Sequence, residues 1–95
     1  MRQITKEAAS AFGNNREFSK SNTQVKVDER STRLRLHGNL IAEKIGNELF
    51  IDSCGYETAT TKERLNGLWG VHIIQRKGKW FLNGKEWDGN RIQVK

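Results

Sequence analysis

Several residue types are scarce in this chain: it has no proline, one cysteine and two histidines among 95 residues. A single thiol excludes an internal disulfide. The histidines and the cysteine also fall short of the four closely spaced ligands that a structural zinc site needs. No apolar run approaches the about 18 residues that span a bilayer, and residues 1–10 lack the apolar segment of a signal peptide. We therefore expect an intracellular protein with no membrane segment, metal or cofactor, and cytoplasmic localisation.

Positive charge, in contrast, is plentiful. The chain has 17 Lys and Arg against 11 Asp and Glu, a formal net charge of +6. Residues 1–38 and 71–95 each have a net charge of +4, and residues 39–70 have a net charge of −2. A cationic surface attracts polyanions or an acidic protein partner. The length predicts one domain over residues 1–95, and the charge favours a binding protein over an enzyme.

The first half of the chain predicts a helix followed by a strand meander. Residues 1–22 are interpreted as an N-terminal helix, capped by Thr5 and ended by Gly13, and a linker. From Thr23 onward apolar residues recur at every second position, which is typical of half-buried strands. Four antiparallel strands are expected between residues 23 and 53, with turns at 28–31, at Gly38-Asn39 and at Gly46-Asn47.

The second half predicts one more helix and a hairpin. A capping box formed by Thr60 and Glu63 begins the helix, and Leu65, Leu68 and Trp69 form one apolar stripe. Residues 71–95 predict a hairpin turning at 77–78 and a last strand in which residues 92 and 94 point inward. The fold class is therefore α+β: a single small domain with a mainly antiparallel sheet, in which residues 23–95 form the sheet with one capped helix.

Lys26, Arg33 and Arg35 form the first candidate site. If the alternation holds, all three lie on the solvent-facing side of the first hairpin, where they form a row of phosphate contacts. The alternative is a solvated sheet face whose charges oppose edge-to-edge aggregation.

The second candidate site is the C-terminal hairpin, where Arg76, Lys77 and Lys79 are interleaved with aromatic residues. Cations that meet phosphates and aromatic rings that stack on unpaired bases are typical of nucleic-acid binding. Alternation places Trp80 and the following phenylalanine on opposite faces, so part of the set belongs to the core. Trp87, between two turn signals, is expected to be the exposed aromatic at the interface. The alternative is a tryptophan that folds back over the core.

Catalytic constellations are hard to assemble from these residues. Cys54 and His72 are the available thiol–imidazole pair, but a small buried thiol is the simpler interpretation of Cys54. A metal-dependent nuclease would require clustered carboxylates beside a lysine, and Glu43, Asp52 and Lys44 are the candidates for such a cluster. No phosphate-binding glycine loop is present. The sequence therefore predicts no enzyme activity and no catalytic residue.

Three runs resemble those of small phage-encoded proteins without an assigned activity. These runs are TRLRLHGNLIAEK at 32–44, TTKERLNGL at 60–68 and QRKGKWFLNGKEWDG at 75–89. The resemblance covers most of the chain after the N-terminal helix and contains no functional signature. It implies a short accessory gene product that acts inside a bacterial host cell.

Two functional hypotheses follow from the residues and this resemblance. The first is a non-enzymatic protein that binds DNA or RNA through a basic sheet surface, with weak sequence specificity and strong salt dependence. The alternative is a phage inhibitor, such as an anti-CRISPR-like counter-defence protein, that docks on an acidic or nucleic-acid-binding host protein. Exposed edge strands would also permit a homodimer.

Overall fold

Two helices and nine strands make up the structure, a computed structural model that describes all residues 1–95. In chain order the elements are α1 (Gln3–Gly13), β1 (Phe18–Lys20), β2 (Thr23–Val27), β3 (Ser31–Leu36), β4 (Asn39–Ile45), β5 (Glu48–Ile51), α2 (Ala59–Asn66), β6 (Ile73–Arg76), β7 (Lys79–Leu82), β8 (Lys85–Glu86) and β9 (Ile92–Gln93). Neither helix is long and apolar enough to cross a membrane.

The strands form two separate antiparallel sheets. The larger has six strands in the order β1-β2-β3-β4-β5-β9, and the smaller has three in the order β6-β7-β8. Strands β2 to β5 are the predicted four-strand meander, and the α+β class is confirmed. The larger sheet gains an edge strand on each side, because β1 pairs with β2 and β9 returns beside β5.

Two-residue turns set the register of the hairpins. In the β3–β4 turn His37 and Gly38 have φ angles of 52° and 81°, and in the β6–β7 turn Lys77 and Gly78 have angles of 52° and 79°. Positive φ at both central residues defines the type I′ turn, whose twist matches that of paired strands. The first turn lies one residue earlier than the expected Gly38-Asn39 because Leu36 pairs with Asn39. The predicted Lys77-Gly78 turn is confirmed.

One hydrophobic cluster of 17 buried residues joins all parts of the fold. The inner face of the larger sheet contributes Val25, Leu34 and Ile51 to it, and the smaller sheet contributes Ile73 and Trp80. Both helices add side chains from the other side. Because each sheet turns one face into this cluster, its other face is left toward solvent, and this determines which charged residues can meet a partner.

The N-terminal region differs from the expectation in two respects. Helix α1 begins at Gln3, and Thr5 is not its cap but a buried residue whose hydroxyl donates to Glu63 at 2.6 Å. Residues 16–22, expected to be a linker, contain β1, in which Phe18 pairs with Val25. A strand of three residues is too short to show a periodic pattern, so only its pairing with β2 reveals it.

Helix α2 is capped two residues before the predicted position. Thr58 is the N-cap, and its side-chain oxygen accepts from the backbone N–H of Thr61 at 3.2 Å. The Glu63 carboxylate, expected to close a capping box, instead accepts hydrogen bonds from Thr5 and Arg64. The helix ends at Asn66, so the predicted apolar stripe stops short: Leu65 and Leu68 are buried, whereas Trp69 is 81% exposed.

The final strand is also less buried than expected. Ile92 pairs with Ile51 on the inner face, but it remains 40% exposed because β9 is an edge strand with no further neighbour. Val94 is half-buried against the core, as its position in the alternation predicts.

Candidate functional site

The outer face of the six-stranded sheet carries the first candidate site. Lys26 pairs with Arg33, Arg33 pairs with Glu43, and Glu43 pairs with Phe50. Directly paired residues point to the same face of a sheet, so these four side chains form one row across β2 to β5. The neighbouring row of Val25 and Leu34 faces the core. The expected alternation of the first hairpin is therefore confirmed.

Lys26 and Arg35 are the cations of this face that have no acidic partner. Neither side chain forms an ion pair or a side-chain hydrogen bond. Arg35 pairs with Gln24, two residues before Lys26 on β2, so the two cations are diagonal neighbours about 7–8 Å apart at their Cα atoms. A β-bulge follows Leu34 in the pairing with β4, and Arg35 retains its outward direction. This pair has its charge available to a ligand.

Arg33, the third predicted residue, is held by two carboxylates. Its Nη1 lies 3.0 Å from Asp28 Oδ2, and its Nε lies 3.1 Å from Glu43 Oε2. Asp28 is itself fixed by the turn, because the backbone N–H groups of Arg30 and Ser31 both donate to its Oδ1 at 2.9 Å. These two backbone hydrogen bonds hold the pKa of Asp28 below its usual value. Arg33 is thus oriented on the face, but its charge is largely compensated.

A fourth cation, Arg91, joins the face from the last strand region and was not predicted from the sequence. Its Nη2 donates to Glu43 Oε1 at 2.9 Å, and its guanidinium lies 4.6 Å from the centroid of the Phe50 ring. Burial raises the pKa of Glu43, but the hydrogen bonds from Arg91 and Arg33 outweigh this effect and hold that pKa below its usual value. Only the long-range pairing of β5 with β9 brings Arg91 here, so local periodicity contains no signal for it.

The second candidate site lies on the smaller sheet. Arg76 pairs with Lys79, and Lys77 occupies the turn between them. The Arg76 guanidinium lies 5.8 Å from the Phe81 ring centroid, and Lys79 Nζ lies 3.5 Å from Glu86 Oε2. All three predicted cations are exposed. No strand pairing joins the two sheets, so the two basic hairpins do not form one continuous sheet surface.

Trp87 is not the exposed aromatic that the sequence suggested. It is only 6% exposed, its indole N–H donates to the carbonyl oxygen of Asn90 at 2.9 Å, and its ring centroid lies 6.0 Å from that of Trp80. A bend at residues 89–90 folds the chain back, which places the backbone acceptor at the indole. Trp87 is a core residue, and the expectation that it lies exposed at an interface is wrong.

The residues weighed for catalysis are dispersed. Glu43 points to the outer face of β4, whereas Lys44 points to the inner side and donates to the carbonyl oxygens of Phe12 and Gly13 at 3.0 and 3.2 Å. The Cys54 thiol donates to the Leu40 carbonyl oxygen at 3.0 Å. Burial raises the pKa of this thiol, and the charge of a neighbouring aspartate adds to the effect. No three His, Cys, Asp or Glu side chains are grouped so that they could hold a metal ion.

Fold and surface together define a small α+β protein whose larger sheet exposes a face with two unpaired cations. The sequence matches the family of Kyanoviridae Gp96 proteins over residues 1–93, and the chain therefore belongs to this family of phage proteins. No curated protein and no solved structure matches it.

Proposed function

We propose that this phage protein binds nucleic acid through the outer face of its six-stranded sheet. The observation that carries the proposal is the unpaired charge of Lys26 and Arg35, held side by side on a sheet surface that no other element covers. Lys and Arg side chains that neutralise phosphates release condensed counterions, which supplies most of the affinity of sequence-independent binding.

Arg33 and Arg91, whose charges are compensated by carboxylates, also contribute to this site. Four cations (Lys26, Arg33, Arg35 and Arg91) share the face with three carboxylates, because Glu48 pairs with Ile45 on the same side as Asp28 and Glu43, so the surface keeps a net charge of +1. The ion pairs hold the two compensated guanidinium groups in fixed positions, and a phosphate oxygen can accept from their remaining N–H groups. We therefore expect phosphate contacts across three or four neighbouring strands.

The position of Phe50 favours backbone contacts over base stacking at this face. The guanidinium of Arg91 lies over its ring, so a nucleobase could stack there only after displacing that cation. Contacts to phosphate position a protein without reading sequence. Low sequence specificity is expected as a consequence, with the exposed cations Arg76, Lys77 and Lys79 of the smaller sheet as a second, independent point of attachment.

Fluorescence anisotropy with a labelled duplex at low ionic strength tests this proposal. The double variant K26Q/R35Q removes the two unpaired cations, and K6Q/K85Q removes two exposed lysines from α1 and β8 as a control of equal charge. We expect the first variant to lose much more affinity than the second. Equal losses would mean that only net charge matters, and no detectable binding by the unmodified protein would refute the proposal.

The alternative of an inhibitor that binds a host protein predicts a different result. A pull-down from host lysate, performed with and without nuclease, separates protein partners from partners bridged by nucleic acid. Recovery of one host protein after nuclease treatment, together with no affinity for purified DNA or RNA, would establish this alternative in place of nucleic-acid binding.

A further inference from the structure

A groove of about 450 Å³ lies at the C-terminal end of α1, away from the outer sheet face. Its apolar floor is formed by Phe12, Leu49 and Leu68, and its polar rim includes Lys44 and Lys95. Trp69 also lines it. Pockets for small ligands are mostly apolar with a few converging polar groups, at volumes of roughly 300–1,000 Å³. The groove has this composition and this size.

Trp69 is the most exposed large hydrophobic side chain of the protein, at 81%. The other two tryptophans, at positions 80 and 87, are nearly completely buried, so the chain does bury indole rings where the core needs them. Lys95 Nζ lies 3.4 Å from the Trp69 ring centroid. A Cβ atom on Gly70 would come within 2.9 Å of Lys95 Cε, so the lysine stem lies directly along the Gly70 backbone. The ring and the ammonium group are thereby presented together.

Lys44 supplies a second cation on the same rim. The Lys44 ammonium group donates hydrogen bonds to the carbonyl oxygens of Phe12 and Gly13, which leaves its third N–H free to donate to a ligand. Burial lowers the pKa of Lys44, and the nearby charge of Lys95 lowers it further. None of the residues lining the groove is an aspartate or a glutamate, so no side chain of the lining compensates these two positive charges.

We propose that this groove binds a nucleotide, with its phosphate between the ammonium groups of Lys44 and Lys95 and its base against the face of the Trp69 ring that Lys95 leaves open, since this side chain is 81% exposed. A flat aromatic ring, two cations and an apolar floor are the complement of a nucleobase that carries a phosphate. Stacking on an aromatic side chain is tolerant of base identity, so the groove selects for a base and a phosphate and not for a particular sequence.

A second depression gives the ligand room to continue. It has a volume of about 490 Å³, shares Lys44, Asn47 and Lys95 with the groove, and extends to the 28–31 turn, where Asp28 and Glu29 line it beside Arg30. The ligand is therefore either a free nucleotide or one unpaired nucleotide of a longer strand. Neither Lys26 nor Arg35 lines the groove, so binding here does not depend on the outer sheet face.

Tryptophan fluorescence of the full chain tests the groove. Because Trp80 and Trp87 are buried, quenching by an added base reports on Trp69. The probes are a purine nucleoside 5′-monophosphate and a single-stranded oligonucleotide of the same base, with inorganic phosphate and the unphosphorylated nucleoside as partial ligands. We expect quenching by the monophosphate, by the oligonucleotide or by both, and much weaker binding of each partial ligand. Quenching by the oligonucleotide alone would assign the groove to nucleic-acid strands.

Titration calorimetry of variants then tests the roles of the side chains. We expect W69A to weaken binding by roughly 5- to 150-fold, the range of a lost base–aromatic stack, and W69F to retain most of the affinity. K95Q should weaken binding and reduce its salt dependence. Y56A is the control, because Tyr56 is an aromatic side chain that is 58% exposed and lies outside the groove.

Two results would overturn this proposal: no quenching by either nucleotide probe, or equal affinity of W69A and the unmodified protein. The sheet face and the groove can fail separately. If K26Q/R35Q abolishes duplex binding while W69A changes no affinity, the outer face stands and the groove is refuted. If W69A alone loses affinity for the nucleotide probes, the groove stands irrespective of the sheet.

Discussion

Substitution of Glu63 by alanine should destabilise this protein more than removal of the buried arginine beside it. Arg64 is 1% exposed, and its Nη1 lies 2.8 Å from Glu63 Oε1, the only carboxylate that pairs with it. The remaining polar contacts of the guanidinium are neutral: Nε donates to Thr23 at 3.0 Å and Nη1 to Thr5 at 2.7 Å. Arg64 Nη2 has no partner at all. E63A would therefore leave a buried cation without compensation.

The size of the effect follows from this geometry. Removing one partner of a fully buried ion pair costs about 3–5 kcal/mol. Because Glu63 is 28% exposed, we expect the lower end of that range, still a large share of the roughly 5–15 kcal/mol that stabilises a typical small protein. R64M instead removes the charge and the unpartnered N–H groups together. In R64M the hydroxyls of Thr5 and Thr23 no longer accept from Arg64, but each still has an acceptor for its own proton. Thr5 donates to Glu63 at 2.6 Å, and Thr23 donates to Asn22 at 2.8 Å. We expect R64M to cost less than about 2 kcal/mol.

Urea denaturation followed by far-UV circular dichroism measures both free energies of unfolding. The double variant E63A/R64M should lie between R64M and E63A, because no buried cation remains but the buried Thr5 hydroxyl loses its acceptor. E29A provides an exposed control. The hydrogen bond from Thr5 lowers the pKa of Glu63 against the opposing effect of burial, and the Arg64 charge lowers it further. The stability that Glu63 contributes is therefore present above its ordinary pKa of 4.5 and is lost as the pH falls through the lower folded-state value. A larger loss in R64M than in E63A would refute this reasoning.

Three further predictions concern packing and reactivity. Gly67→Ala should destabilise the fold by about 1–3 kcal/mol in urea titrations, because its Cβ would meet Thr5 Cγ2 at 2.7 Å. The same change at Gly13 meets nothing within 4 Å and should not destabilise the fold. Equal effects at both sites would contradict the packing of α1 on α2. W87F should lower the melting temperature and leave nucleic-acid affinity unchanged, since the indole is a core group; lost affinity in a folded variant would restore its role as a contact. Burial raises the pKa of Cys54, so its alkylation at neutral pH should be slow compared with free cysteine, and labelling at the rate of the free amino acid would contradict that burial.

Where apolar residues alternate over five or six positions, the sequence alone predicted the structure correctly. The meander of β2 to β5, the shared face of Lys26, Arg33 and Arg35, and the burial of one of the two neighbours Trp80 and Phe81 all follow from a period of two. Each depends on local geometry, which the residues themselves determine.

Features that depend on distant parts of the chain were not predictable in this way. Strand β1 is too short to have a period. The last strand was expected from its alternation, but its pairing with β5, which brings Arg91 to the outer face, has no local signal. Trp69 is exposed where burial was expected, because α2 ends before it. Trp87 is buried where exposure was expected, because the chain folds back and places its indole on the core. A polar helix sequence also gives no indication that Arg64 is almost completely buried.

The salt dependence of duplex affinity tests the proposed nucleic-acid interface most directly. For each phosphate neutralised, the slope of log K against log salt concentration becomes steeper by about 0.9. The unmodified protein should therefore show a slope about two units steeper than K26Q/R35Q, and K6Q/K85Q should keep the steeper slope. Equal slopes for the unmodified protein and K26Q/R35Q would contradict the account, because they would show that the two unpaired cations of the sheet meet no phosphate.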